Sequence, residues 1–518
     1  MNKKRCLFHS GKKALELSDK ALTDCTYLWA EPANLASHHL APVFKDKVFN
    51  FDYSFEYFVL DQTSPWLTQP QLLRQLPAHR ILYTDDAVVT DEIQEILDFR
   101  GAVKIKLGNL LMEINHYFYP INNGGLRGKI LSLEIPSEMQ NNISYFGNNY
   151  IDVTCSFDNW HYLGRLTYSV FVPHDFVTEI ALEFKEFEQA ELKIEVCCFS
   201  VNDTHKLLAK YSKSGADLRA SHGKIEVTGL ADGYYYSVRY YVRGTGHVHL
   251  GTMHQRSSRG KYGLIELGGQ SLIDQNYLGG EIAYLFNPGN MKPPLTVYFG
   301  GYHTAEAIEG TGILHKKGVP YLLLSDLRVE GGCFYLGDQE LEDKIKGLIK
   351  DCLAKLHFTV KDLVLSGMSM GTYAAMFYGA QLNPGAIVIA KILLNLGTIA
   401  ENLRINRPDD FHCASDMVMM LMGDNKLASC QKLDQMLWDT LNQGDFSNTS
   451  FMLGYMKNDD YDQLAYSQLM AFLQKNYSHQ HVVSKGYSGR HNDDTEAIAG
   501  WFTRQLYSVL KKKYGQKF

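Results

Sequence analysis

The chain of 518 residues has no apolar run approaching the length needed to cross a bilayer; Ala386-Ile387-Val388-Ile389-Ala390 is cut by Lys391 and has the length of a strand. Any membrane contact is therefore expected to be peripheral. A disulfide framework is also missing. The nine cysteines are odd in number, include the neighbours Cys197-Cys198 and contain no CxxC pair, which points to a reducing, cytoplasmic location. Met1 to Arg5 resembles a signal n-region, but Ser10-Gly11-Lys12-Lys13 interrupts before an apolar h-region forms, so the N-terminus reads as mature protein. Strong charge of one sign is absent too: the net charge is -6, and Lys3-Lys4 and Lys511-Lys512-Lys513 are short solvated runs, so nucleic acid is not an expected partner. No HxxxH or clustered His/Cys spacing implies a metal, and no repeat or low-complexity linker divides the chain.

At this length two or three domains are expected, and a hydrophobic fraction of 45% supports globular folding throughout. Residues 1–125 mix short apolar strands (Tyr57 to Leu60, Arg80 to Tyr83, Val103 to Leu107) with an amphipathic helix from Thr90 to Phe99, a small Rossmann-like α/β unit without a phosphate loop. Asp85, Asp86 and Asp91 read as a solvated turn and an acidic first helical turn. Residues 126–265 turn to period-two alternation, as in Leu166 to Val172, Ile180 to Phe184 and Leu192 to Val196, with turn signals such as Ala231-Asp232-Gly233. That pattern predicts an antiparallel β-sandwich. The aromatic run Tyr234 to Tyr241 suits sugar contact, although alternation alone places half of it in a core. The glycines between Arg259 and Gly269 mark the next boundary.

From 270 to 518 strands and helices alternate: strands at Leu295 to Phe299, Tyr321 to Ser325, Leu363 to Ser366, Ile387 to Leu394, Ser450 to Met456 and His481 to Ser484. Helices are expected at Glu340 to Leu356, Thr372 to Leu382, Gln431 to Leu441, Asp462 to Asn476 and Asp494 to Lys511. This is the α/β-hydrolase plan, a mostly parallel sheet covered on both faces. Within it, Gly367-Met368-Ser369-Met370-Gly371 follows a strand and opens an alanine-rich helix, the layout of a nucleophile elbow. Ser369 must occupy a strained turn, so residues two before and two after it crowd the backbone and glycine relieves the crowding.

The plan orders its triad nucleophile, acid, histidine. The loop Lys457-Asn458-Asp459-Asp460-Tyr461-Asp462 supplies the acid, with Asp459 first and Asp460 second, while Asp462 reads as the start of the next helix. His491 sits in the Gly-rich loop after the last strand, where it would serve as general base towards Ser369. Asp493-Asp494 reads as a helix cap. The oxyanion requires backbone donors: the amide of Met370 is one, and Gly301 or Tyr302, in Gly300-Gly301-Tyr302-His303-Thr304-Ala305-Glu306, is the other. His303 is assigned to stabilising that loop.

Several stretches go beyond the generic plan: Tyr298 to Ala307, Glu330-Gly331-Gly332-Cys333-Phe334-Tyr335-Leu336-Gly337, Leu365 to Thr372, and Asn395-Leu396-Gly397 with Arg407-Pro408-Asp409. These resemble the second accessory secretory protein of the bacterial accessory Sec system, most strongly over 270–518. The resemblance implies an O-acetyltransferase that modifies N-acetylglucosamine on serine-rich repeat glycoprotein adhesins of Gram-positive bacteria. It implies delivery of those adhesins, with companion accessory secretory proteins, to the dedicated SecA motor. It also implies Ser369 and His491 as catalytic residues. The sequence itself does not name the acyl donor; acetyl-CoA is the expected one, and no bound cofactor is expected. A carbohydrate esterase with the same triad and a non-catalytic export adaptor are the competing readings.

Overall fold

The computed structural model describes residues 5–16, 25–36, 41, 43–45, 48–50, 55–118, 126–128, 132–173, 177–228, 230, 232–303, 305–406, 411, 413–477 and 481–518. Lys3-Lys4, Ala231, Thr304 and Arg407-Pro408-Asp409 lie outside them.

The N-terminal part is a five-stranded parallel sheet of β1 (Arg5–Ser10), β2 (Cys25–Ala30), β3 (Phe55–Leu60), β4 (Ile81–Thr84) and β5 (Val103–Ile105), in the doubly wound order β2-β1-β3-β4-β5. Helix α1 (Asp91–Phe99) starts at Thr90, whose hydroxyl accepts from the Ile93 amide, and carries Asp91 and Glu92 in its first turn. The first two strands were not anticipated.

The middle part holds a ten-stranded antiparallel sheet built on β6 (Ile143–Phe146), β7 (Tyr150–Leu166), β8 (Thr178–Glu188), β9 (Glu191–Ser200), β10 (Leu207–Ser214), β11 (Lys224–Val227) and β12 (Tyr234–Ser257). It differs from two separate layers. Strand β12, 24 residues long, pairs with β9 through its first half and with β8 through its second, so one strand serves both ends of the sheet. The change falls around Gly244 and Gly246, where φ is +86° and +133° and a Cβ would meet the Gln189 and Phe187 carbonyls. The expected run Leu166 to Val172 breaks after Leu166. In the aromatic run, Tyr234, Tyr236 and Tyr240 are buried in one core with Leu192, Ile194 and Val248, whereas Tyr241 turns outward beneath Lys193.

The C-terminal sheet has eight strands: β13 (Gln270–Asp274), β14 (Gly280–Asn287), β15 (Leu295–Phe299), β16 (Tyr321–Asp326), β17 (Leu363–Met368), β18 (Ala386–Ala390), β19 (Ser450–Met456) and β20 (Val482–Tyr487). Their order is β13-β14-β16-β15-β17-β18-β19-β20, with β15 to β20 parallel and the first two antiparallel. Neighbouring residues of β15 feed opposite cores: Val297 packs with the helices α2 (Gln339–Leu356) and α3 (Met370–Leu382) on one face, while Tyr298 packs with the last helix on the other. Strands buried on both faces read as unbroken apolar runs, which is why these are legible in sequence. The strand predicted to reach Leu394 stops at Ala390, because Lys391 turns the chain at φ +56°. Between β18 and β19 lie α4 (Leu396–Asn406), α5 (Ala414–Met422) and α6 (Leu427–Gln443), followed by α7 (Ala465–Asn476) and α8 (Thr495–Lys512). The hairpin tip between β6 and β7 touches this helical layer: Asn148 and Asn149 bond the Asp416 carboxylate and carbonyl.

Candidate active site

Ser369 stands at the β17–α3 junction with φ +53° and ψ -118°, a conformation an L-residue adopts only under constraint. The constraint is visible on either side. A Cβ on Gly367 would lie 2.5 Å from the Gly371 carbonyl oxygen, and one on Gly371 would lie 2.0 Å from the Phe299 carbonyl oxygen. Twelve of the thirteen residues of α3 are buried, and small Ala374 and Ala375 let it settle on the sheet. The Thr372 hydroxyl donates to the Ser369 carbonyl at 2.6 Å and accepts from the Leu393 amide at 2.9 Å, tying the elbow to the chain beyond β18.

Three of the predicted residues meet. Ser369 Oγ lies 2.9 Å from His491 Nε2, and His491 Nδ1 lies 2.8 Å from Asp459 Oδ2. Asp459 Oδ1 accepts from the amides of Tyr461 and Asp462, which fixes the carboxylate in its tight loop. Asp460, the second candidate, does not reach the imidazole ring; its Oδ1 accepts from the backbone amide of His491 at 3.0 Å. The Tyr461 ring stacks on His491 at 4.3 Å between centroids and 8° between planes, closing the ring's open face. His491 is buried.

Two expectations for neighbouring carboxylates give way. Asp462 does not open the next helix, which starts at Ala465; it is buried and accepts from the amides of Leu394 and Asn395 and from the Asn395 side chain. Burial pushes its carboxyl up, against the pull of those donors. Asp493 binds the Arg490 amide, and Asp494 sits at the start of α8 without a side-chain cap bond.

The loop after β15 is held at several points. The Tyr335 hydroxyl donates to the Gly300 carbonyl at 2.9 Å, and the Gly301 amide donates to Glu309 Oε2 at 2.7 Å. The Gly301 amide, one of the two expected oxyanion donors, is thus committed to a carboxylate. Burial works against the Glu309 carboxylate, but His303 and the Gly301 amide outweigh it and keep its carboxyl below the ordinary range. His303 Nε2 stands 3.3 Å from Glu309, the loop-stabilising place expected of it.

Sequence reasoning missed the supports of this loop. Glu330 to Gly337 packs on it: a Cβ on Gly331 would strike the Tyr302 ring and one on Gly332 the Met370 side chain. That segment turns about Asp326, which accepts from the Cys333 and Tyr335 amides and pairs with Arg328, itself buried and bound to Asp274. The run of glycines and aromatics was the available signal. Beside the acid loop opens a cavity of about 760 Å³, lined by Asn395, Asn402, Asp434, Trp438, Asp460 and Gln468 among others. No lysine or arginine among the described residues lines it. Asn402 donates to the Tyr461 carbonyl, so its wall is continuous with the residue stacked on His491.

The model of the accessory Sec system GspB-transporter family matches residues 26–516. The chain is 45% identical over 283 residues to an accessory Sec system protein of Staphylococcus aureus (strain NCTC 8325 / PS 47), a match covering 54% of this chain and 53% of that one. It is 38% identical over 342 residues to an accessory Sec system protein of Streptococcus gordonii, covering 65% of each. The chain therefore spans between half and two thirds of the length of these curated relatives. Among solved structures, the Glycosylation Associate Protein (Gap123) complex from Streptococcus agalactiae contains a chain with a TM-score of 0.84 and 29% identity, with both chains fully covered.

Proposed function

Since the chain belongs to the accessory Sec system GspB-transporter family, we propose that it is a serine-dependent O-acetyltransferase that modifies N-acetylglucosamine on serine-rich repeat adhesins and assists their export. The observation that carries this reading is the unbroken relay from Ser369 Oγ through both nitrogens of His491 to Asp459. In this reading His491 Nε2 takes the serine proton as Oγ attacks an acyl carbonyl, and Asp459 holds the ring in the tautomer that can accept it.

In the proposed cycle the acetyl thioester of acetyl-CoA is the donor. The Ser369 oxygen forms the new C–O bond, the Met370 and Tyr302 amides receive the oxyanion, and the thiolate departs with the proton carried by His491. A sugar hydroxyl then surrenders its proton to His491 and attacks the acyl-serine, which returns Ser369 and leaves an O-acetyl sugar. Transfer outruns hydrolysis only if the sugar is held in place. The cavity beside the acid loop supports a sugar acceptor: amide side chains and carboxylates suit hydroxyl groups, and Trp438 offers an indole.

The Streptococcus agalactiae structure is that of a complex of Glycosylation Associate Protein chains; by that likeness, companion accessory proteins are proposed as partners and the dedicated SecA motor as the receiver of the adhesin. No helix among the described residues is long and apolar enough to cross a membrane. The proposed place of action is the cytoplasm or its face of the cell membrane.

Intact-mass analysis of adhesin repeats co-expressed with the wild type or with Ser369→Ala tests the reading. Acetyl increments are expected with the wild type alone; equal masses would overturn the transferase and leave hydrolysis or export as the role.

A further inference from the structure

The near end of the oxyanion loop is held by its own sheet, through Tyr335 and Glu309. Its far end is held by another. Glu306, four residues beyond Tyr302, is wholly buried. Arg256 Nε donates to its Oε2 at 2.5 Å, and His254 Nδ1 bonds its Oε1. Both partners are on β12 of the antiparallel sheet.

The contacts spread from there. Arg256 also pairs with Glu281 on β14 at 2.5 Å and with Glu179 on β8 at 3.5 Å. His254 Nε2 reaches Glu183 on β8 at 3.3 Å, and Lys224 on β11 lies 3.1 Å from Glu281 and 3.8 Å from Glu179. Four carboxylates thus face an arginine, a lysine and a histidine. Burial alone would lower the His254 pKa, but Glu306 and Glu183 hold it up to about 9, so the imidazole is cationic at neutral pH.

A buried network of this kind gains little stability over apolar packing of the same volume, because each charge is stripped of water. What it can supply is position. The geometry points to His254 and Arg256 as positioning residues for acyl transfer: by gripping Glu306 they fix the backbone of the Tyr302 segment, so that a site carried by one sheet is completed by a strand of another. The inference rests on the reading of Ser369 as an acyl-accepting nucleophile.

A positioning role acts on the transition state more than on substrate binding. It also carries a pH signature. The folded pKa of His254 lies above its ordinary value of 6.5, so its grip is complete below 6.5 and is lost as pH rises through about 9. Glu183 and Glu306 face it directly, with Glu281, Arg256, Glu179 and Lys224 in the network behind them, and Arg256, held above its ordinary range by the surrounding carboxylates, stays charged over that range.

The test uses the full chain, with hydrolysis of p-nitrophenyl acetate for kcat and KM, fluorophosphonate labelling of Ser369, and thermal unfolding to establish folding. His254→Gln and Glu306→Gln keep the side-chain size and some hydrogen bonding; Arg256→Lys keeps the charge. The expected result is a fall in kcat of tenfold or more with KM within about twofold for the two glutamine variants, and a smaller fall for Arg256→Lys. Wild-type kcat should decline as pH rises towards 9, a limb missing from His254→Gln. Folded variants with wild-type kcat, or a wild-type profile that stays level past pH 9, would overturn the inference while Ser369 labelling and turnover upheld the acyl-transfer reading. A wild type that neither turns over the ester nor is labelled at Ser369 overturns both.

Discussion

Replacing Asp459 by asparagine removes one negative charge and little else. Its Oδ1 accepts from the Tyr461 and Asp462 amides, and an asparagine carbonyl oxygen can do the same, so the loop keeps its turn. The change falls on the bond between Oδ2 and His491 Nδ1. Both partners are buried, with side-chain exposures of 1% for His491 and 6% for Asp459, so solvent screens the pair weakly. At the 2.8 Å separation and an effective dielectric of about 20, the attraction between this carboxylate and an imidazolium is on the order of 6 kcal/mol. Fully expressed in the transition state, that is about ten-thousandfold in rate. An asparagine amide would also present N–H to Nδ1 and favour the tautomer that carries its proton on Nε2, which cannot accept from serine. Asp460→Asn makes the contrast: it turns one charge-assisted bond to the His491 amide into a neutral one, a loss of about 1 kcal/mol or roughly fivefold. Steady-state hydrolysis of p-nitrophenyl acetate reads both. An Asp459→Asn enzyme within tenfold of wild type, or an Asp460→Asn enzyme more impaired than it, would refute the assignment of the acid.

Three further outcomes are expected. Gly371→Ala places a methyl 2.0 Å from the Phe299 carbonyl oxygen, and displacing backbone on that scale costs roughly 1–3 kcal/mol, read as a lower Tm together with lost fluorophosphonate labelling. Glu342 is buried on α2 and its carboxyl is raised from 4.5 to about 7, chiefly by burial; its own contribution to stability is therefore full below 4.5 and is lost as pH rises through 7. Glu342→Gln should raise Tm at pH 8 and leave it unchanged near pH 4, and an unchanged Tm at both would contradict that burial. Trp438→Ala should raise KM for a sugar acceptor severalfold while leaving hydrolysis of p-nitrophenyl acetate near wild type; equal effects on both reactions would remove the cavity from acceptor binding.

The parts that could be read from sequence are those whose cause is local. Gly367 and Gly371 are demanded by contacts within four residues or with one adjacent strand, so spacing alone exposes the elbow. The parallel strands announce themselves because both faces are buried. The choice between Asp459 and Asp460 was not readable, since adjacent carboxylates in one turn differ only in the direction of the side chain. Helix α5 was missed because Met417 to Met422 shows no alternation of apolar and polar faces for a helical period to reveal. Strands β13 and β14 were missed because their pairing leaves the parallel core and begins directly after a glycine-rich boundary. The clamp on Glu306 lay furthest from view: its partners are 50 and 52 residues upstream, on a different sheet, and no periodicity joins them.

The length of β12 bears on the order in which the protein assembles. Ile151 of β7 pairs with Leu250, and Thr178 of β8 pairs with Ser257, so the strand that organises the antiparallel sheet is its last to be synthesised. At roughly 5–20 residues per second, the ribosome needs on the order of 5–20 s to pass from β7 to the end of β12. Through that interval β7, β8 and β9 lack the neighbour that pairs with all three, whereas the parallel N-terminal sheet is already complete at Ile105. Unpaired strand edges recruit other chains. Nascent-chain aggregation should therefore peak when translation pauses between residues 200 and 234, just before β12 emerges.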